Sequence, residues 1–563
     1  MQNHTRQIIR YIAIFFGLLV VLGLFLIPLL NVIIMAFRDD GGFTLEHMVD
    51  LLQKKKTWRV IKSTLYINIL SSFFASILGV SLAYAMAYTD IRHKKILHSV
   101  LLLPLIIPGY IITLAWMQFF AKNGSLALMI KEYLPDFTMP NIYSYWGIIF
   151  VFAVTKYPVI YTLTLSTFRK ISTDMELAAA VSGCGRAKTF FKVTLPMSMS
   201  GFANGLLLVF ISCLDNFGTV AFLGIPARIT VLSTDIYQSV TSYSSNNFNV
   251  ASAKSILLAV IGILASLILE RMSRLFQTMQ TDMEDMQPRI FLHRKKWMVE
   301  SAIWLFIIIV NLVPMTTLIQ TSFLRGMGAG FNADNLTLSN YEYIFSNAKS
   351  LNAIKNSVML AISTSGVCVL IGTLIAYLRI RKPGKIINLV DSIVSVPYSL
   401  PGIIIGLALI LTWAKPLPII NKTIYGTSFM LLVSYVVRFA SVQIRSSSTA
   451  ILQMDQSMEE AAHVCGAGNF KKWIQVVIPL IFPATFSGMG LVFINSLTEL
   501  TTSSLLWSAG SETIGVVIHN YQSAGYMTSA CALSVLVLIT IFGLLGMYKL
   551  LGIGIQRIRR NSK

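Results

Sequence analysis

Long apolar runs alternate with short polar stretches along the whole of this chain. Each run holds about twenty residues or more, the length an α-helix needs to cross the hydrocarbon core of a bilayer. Twelve are legible: 11–37, 61–89, 96–120, 145–168, 201–223, 251–272, 297–323, 354–378, 387–413, 427–444, 482–507 and 528–551. The pattern predicts an all-α polytopic membrane protein with about 12 transmembrane helices. The first run follows Arg6 and Arg10, as a secretory signal would. It is too long for the apolar part of a signal and no small-residue cleavage site follows, so it is expected to remain as the first span.

The pattern is written twice. Gly79 answers Gly372, Ala83-Tyr84 answers Ala376-Tyr377, and Pro104-Leu-Ile-Ile-Pro108-Gly109 answers Pro397-Tyr-Ser-Leu-Pro401-Gly402, all at one offset of 293 (372 − 79). Between the spans, MELAAAVSGCGRAKTFFKVTLP at 175–196 answers MEEAAHVCGAGNFKKWIQVVIP at 458–479, at an offset of 283 (466 − 183). Register held over such distances implies duplication and fusion. The predicted layout is a first six-helix half at 1–275, a polar linker at 276–296 and a second six-helix half at 297–563.

The repeated polar island has its own local physics. An acidic residue followed by Ala-Ala (Glu176, Ala178, Ala179; Glu459, Glu460, Ala461, Ala462) favours a helix start, with negative charge at the positive end of the helix dipole. Gly183 and Gly466 suit the turn that ends it. The stretches 186–193 and 469–476 predict a second short helix. Pro196 and Pro479 can open the following span, since proline is tolerated in a first turn. The product is a helix-turn-helix elbow at a membrane surface, a shape able to enter a groove on a soluble partner.

Composition and charge narrow the class. The chain is 55% hydrophobic and 12% charged, with a mean hydropathy of +0.70; a soluble protein carries about twice that charge. A net charge of +21 lies in short loops between apolar runs rather than on one face, which argues for membrane lipid and against nucleic acid as the surrounding partner. The excess of Lys and Arg places both islands and both termini in the cytoplasm; Lys54, Lys55 and Lys56 oppose the trend. Five cysteines show no metal-ligand spacing and seven histidines form no cluster, so no metal site is predicted.

Ionisable groups inside spans are costly and point to a cavity or a partner. Asp215 and Glu499 lie at nearly the same depth of the two halves, Asn216 answering Glu499 at the offset of 283. Lys156 and Arg438 form an approximate second pair, and Asp391 starts another span. Two readings stand open: groups along a translocation pathway, or ion pairs that stabilise a wet bundle.

Glu460-Ala461-Ala462, Gly466 and Pro479 resemble the EAA loop of ABC importer permeases. The first copy keeps Ala178, Ala179, Gly183 and Pro196 but has Leu177 at the motif's glutamate, with Glu176 one place earlier. The resemblance implies a type I ABC importer-like fold in a bacterial inner membrane. It also implies loops that couple the spans to two ABC ATPase subunits binding ATP and Mg, and an extracytoplasmic solute-binding protein as a further partner. No Gly-x-x-x-x-Gly-Lys-Ser/Thr sequence occurs here, so the chain is expected to hold no nucleotide and no catalytic residue. The fused layout, with the stretches at 103–110, 215–224, 435–439 and 497–506, resembles the two-domain ferric iron permeases. Permeases for 2-aminoethylphosphonate, thiamine, polyamines and sulfate share the scaffold, and an ion-coupled secondary transporter is the alternative of a different class.

Overall fold

The computed structural model describes residues 17–39, 42–242, 247–275, 287–414, 416 and 423–561. Residues 11–16 of the first expected span, with Arg6 and Arg10, and 276–286 of the expected linker lie outside them. Among the described residues ten helices are long and apolar enough to cross a membrane, from Gly17–Ala36 to Met527–Met547. Among the described residues β-structure is confined to a ribbon in which Arg38–Asp39 pairs with Gly42–Phe43, and two isolated bridges.

Two of the twelve expected spans are bent pairs instead. Lys94–Ile106 meets Gly109–Phe119 at 99°, and Lys385–Ser399 meets Gly402–Trp413 at 114°. The cause is the repeated Pro-x-x-x-Pro-Gly. A proline pushes the preceding residue out of the helical region, and Ile107 (φ −81, ψ 130) and Leu400 (φ −102, ψ 143) are extended accordingly. Two more expected spans are interrupted. The run at 201–223 is a helix to Leu214 and a second from Phe217, and the run at 482–507 is a helix to Leu497 and a short one from Ser503.

The helices form two compact units, and neither coincides with a half of the sequence. One holds the described residues up to Lys55 with Asp235–Ala259 and Asn347–Val517; the other holds Lys56–Thr234, Val260–Ser346 and the described residues from Ile518. In the first, helix Ile27–Ala36 packs along Gly402–Trp413, and Asn31 Nδ2 donates to Thr412 Oγ1 at 2.9 Å. In the second, Val313–Ser322 packs on Gly109–Phe119 and on Met527–Asn561. Apolar lipid supplies little drive for helices to associate, so close backbone approach at small residues does much of it. The repeat preserves such a contact. A Cβ on Gly79 would stand 2.9 Å from Tyr157 O and Ile160 Cβ, and one on Gly372 would stand 2.9 Å from Gln443 Cγ.

Candidate functional site: two elbows and two helix breaks

Each elbow begins with a short helix, Thr173–Val181 or Ser457–Val464. The first is capped by Ser172, whose hydroxyl accepts from Asp174 N. Both close alike. The carbonyls of Ala179 and Ala462 accept from Cys184 N (3.0 Å) and Ala467 N (2.9 Å), and the turn is made by Gly183 at φ +81 and Gly466 at φ +78. That left-handed conformation strains a residue with a Cβ.

After the turn the structure departs from expectation. Arg186–Thr189 and Asn469–Lys472 run through π-turns, Phe190–Thr194 and Trp473–Val477, directly into the next helix. Arg186–Leu214 and Asn469–Leu497 are therefore single helices of 29 residues each. The widened turn just before Pro196 and Pro479 absorbs the missing N–H and the ring clash that proline brings to a helix.

The carboxylate that anchors the elbow is the earlier one of the motif. Glu459 is buried. It accepts from Tyr377 Oη at 2.6 Å and Arg381 Nε at 2.8 Å, and pairs with Lys472 Nζ at 3.0 Å. Burial alone would raise its pKa, but those three donors outweigh it and hold the carboxyl below the usual glutamate range. Glu460 is exposed and accepts a bond from Gln456 Nε2. Glu176, at the same register as Glu459, is likewise held: by Tyr88 Oη at 2.9 Å, Thr194 Oγ1 at 2.7 Å and Arg289 Nη1 at 2.9 Å. Leu177, at the register of Glu460, is exposed. The first copy thus keeps the inward carboxylate and lacks the outward one.

At the far end of each long helix lies a break. Asn216 caps the helix that follows, its side-chain oxygen accepting from Thr219 N at 2.9 Å. Glu499 does the same to Thr502 N at 2.9 Å, so the offset of 283 holds for cap and capped residue alike. Arg438 Nη1 stands 3.5 Å from Glu499 Oε1. A Cβ on Gly402 would fall 1.3 Å from Arg438 Nη1, whereas one on Gly109 would meet Asn216 Nδ2 at 3.1 Å. Glycine at the proline bend makes room for the guanidinium. In the first half Lys156 donates to Ser212 Oγ at 2.6 Å and lies within electrostatic reach of Asp215. Asp391 pairs with Arg379 at 3.0 Å, apart from the breaks.

The sequence reading missed several partners. Tyr377 was legible as a repeated Tyr, but nothing in the pattern singled out Arg381 or Lys472 as a partner of Glu459. Arg289 has no repeat partner at all. A buried pair between Lys254 Nζ and Asp235 Oδ2, at 2.5 Å, was signalled by a lysine inside an apolar run. Among the described residues no group of three His, Cys, Asp or Glu is placed to hold a metal ion.

Comparison with known proteins shows what the chain is similar to. The chain is 22% identical to the ferric transport system permease protein FbpB of Actinobacillus pleuropneumoniae over 530 residues, 92% of this chain and 74% of that protein. It is 22% identical to a putative ferric transport system permease protein, FbpB 1, of Haemophilus influenzae over 496 residues, 86% of this chain and 76% of that one. The molybdenum transport system permease protein ModB of Escherichia coli is 26% identical over 223 residues, 38% of this chain and 95% of that protein. A bacterial ABC transporter involved in alginate import is a structural neighbour at a TM-score of 0.41 and 19% identity, covering 49% of this chain and 99% of that one. The profile of one family matches twice, at residues 75–278 and 368–556. Those two matches take in both elbows and both breaks, and the chain belongs to that family, the binding-protein-dependent transport system inner membrane components.

Proposed function

We propose that this chain is the membrane permease of an ATP-driven importer of ferric iron, in which two ATPase subunits engage the two elbows from the cytoplasm. A solute-binding protein delivers the cargo on the other side, and both termini face the cytoplasm. The carrying observation is the pair of matched, outward apolar tips. Val181 is 90% exposed and Val464 88% exposed, and Met175 and Met458 are exposed beside them. Exposed aliphatic residues at one register of two polar loops suit docking into apolar grooves of a partner used twice.

The mechanism follows from helix continuity. The limb of each elbow after the turn is the near end of a 29-residue helix, about 43 Å long at 1.5 Å per residue. Displacement of an elbow is carried as a lever to the break at Asp215–Asn216 or Thr498–Glu499. Nucleotide binding shifts the equilibrium only by what it changes between two states of that lever. The polar breaks are where the cargo passes in this reading. The ferric assignment draws on the two ferric relatives, each aligned over more than four fifths of this chain, whereas the molybdenum relative aligns over about two fifths.

Uptake of radiolabelled ferric citrate by cells expressing the chain, with and without the neighbouring ATPase and binding-protein genes, tests this. ATP-dependent uptake only in the full set is expected. Uptake by the chain alone, driven by an ion gradient, would replace the proposal with a secondary transporter. If the neighbouring binding protein holds thiamine or a phosphonate, the cargo changes and the permease reading stands.

A further inference from the structure

The two elbows hold the same carboxylate by different means. Glu459 finds its cations, Arg381 and Lys472, within its own half. Residue 88 corresponds to Arg381 at the offset of 293, and 189 to Lys472 at 283. Both are uncharged in the first half, Tyr88 and Thr189. The missing cation arrives from the linker.

Arg289 is placed there by several contacts. Arg289 N and Ile290 N both donate to Tyr88 O, at 2.9 and 2.8 Å, and Thr89 bridges Ile290 in parallel. Leu292 N donates to Asp90 Oδ1 at 2.9 Å, and Lys296 Nζ pairs with Asp90 Oδ2 at 3.2 Å. The guanidinium lies 4.8 Å from the centre of the Tyr88 ring. One nitrogen meets Glu176 Oε2 at 2.9 Å and another donates to Ile171 O. Both side chains of the ion pair are nearly buried, Arg289 at 10% and Glu176 at 14% exposure. A cavity of about 250 Å³ beside the pair is lined by Tyr84, Glu176, Cys184, Phe190 and Arg289.

We infer that Arg289 is a positioning residue of the first elbow: the linker straps that elbow to the end of helix Lys55–Tyr88 through the Arg289–Glu176 pair. The second elbow needs no strap. Breaking a buried pair leaves an uncompensated charge, so loss of Arg289 releases the first elbow and leaves the second in place. That release uncouples transport only under the coupling reading proposed above.

The native cysteines report on the two elbows separately. Cys184 is half-buried in the first and Cys465 is exposed in the second, while Cys213, Cys368 and Cys531 are buried. The full chain in membrane vesicles is treated with N-ethylmaleimide, and the labelling rate at each cysteine is read by peptide mass spectrometry. Arg289→Gln raises the rate at Cys184 several-fold and leaves Cys465 unchanged. Glu176→Gln gives the same rise, and the double variant adds nothing further. Arg289→Lys, which keeps the charge but loses the planar fork, gives an intermediate rate, and it carries the test if the neutral variant fails to insert. An unchanged rate at Cys184, or a parallel rise at Cys465, overturns the assignment. Uptake of radiolabelled ferric citrate by the same variants separates the two layers. Cys184 opening with uptake intact keeps the strap and removes the coupling role of the elbow. Protected Cys184 removes the strap and leaves the coupling reading as it was.

Discussion

The breaks at Asp215–Asn216 and Thr498–Glu499 share a backbone plan and differ in where the charges stand. In the second half the capping residue is itself the anion, Glu499, and its cation Arg438 fills the space over Gly402. In the first half the same two registers hold Asn216 and Thr155, both neutral. The charges have moved one residue in opposite senses, to Asp215 and Lys156. One step along a helix turns a side chain by about 100°, so Lys156 reaches Ser212 rather than the bend. The lesson is that capping geometry is held strictly by the duplicated backbone. Charge placement is held only as one anion and one cation per half, and each can shift by a residue.

The largest effect that would break this comparison comes from removing one partner of the second-half pair. Arg438→Met strands Glu499 in a buried site and should cost about 3 kcal/mol or more, whereas Asn216→Ala removes only a cap, about 1 kcal/mol. Unfolding midpoints of the two variants in detergent read the difference, and equal losses would mean that the two breaks are energetically alike. Next in size is the pair of bend glycines. Gly402→Ala must displace the guanidinium and is expected to cost about 1–3 kcal/mol, while Gly109→Ala, which meets the Asn216 amide at 3.1 Å and the Thr155 methyl at 4.0 Å, should cost less than half as much. The same melts decide it.

A smaller and symmetric effect is expected at the elbows. Gly183→Ala and Gly466→Ala each force a left-handed alanine, worth about 1–2 kcal/mol, and thermal melts should show equal shifts for both. The smallest concerns pH and the second elbow alone. Ionised Glu459 is favoured in the fold, its carboxyl lying below the usual range because its three donors outweigh its burial. Its stabilisation is therefore complete above the unfolded value near pH 4.3 and fades as pH falls through the lower folded value. The hydrogen-exchange protection of Ser457–Val464, relative to the intrinsic rate at each pH, should fall below about pH 4 in the parent, and Glu459→Gln should remove that pH dependence.

Much of this was legible beforehand because it follows from period and punctuation. Apolar run length gave the spans, and the twin offsets gave the repeat. Glycine and proline marked the elbow turn; Pro104, Pro108, Pro397 and Pro401 were open between helix breaks and ordinary kinks, and they form bends near 100°. What resisted was anything set by contacts distant in sequence. Which carboxylate of Glu459 and Glu460 turns inward depends on Tyr377, Arg381 and Lys472 meeting it from other helices. The cation for Glu176 comes from Arg289, 113 residues away (289 − 176), with no counterpart to betray it. The π-turns were invisible too, since a five-residue widening leaves no mark on hydrophobic periodicity.

The exchange of segments between the two compact units bears on how the chain is made. Helix Met527–Asn561 packs with Val313–Ser322 in the unit that carries most of the first half, and Ile27–Ala36 packs with Gly402–Trp413 in the other. A ribosome that has finished the first half has therefore closed neither unit. Helix Ile27–Ala36 has to wait in the bilayer until some 370 further residues have been inserted (402 − 36), so assembly is a late event, and fusing the halves into one polypeptide keeps the waiting pieces together until their partners emerge.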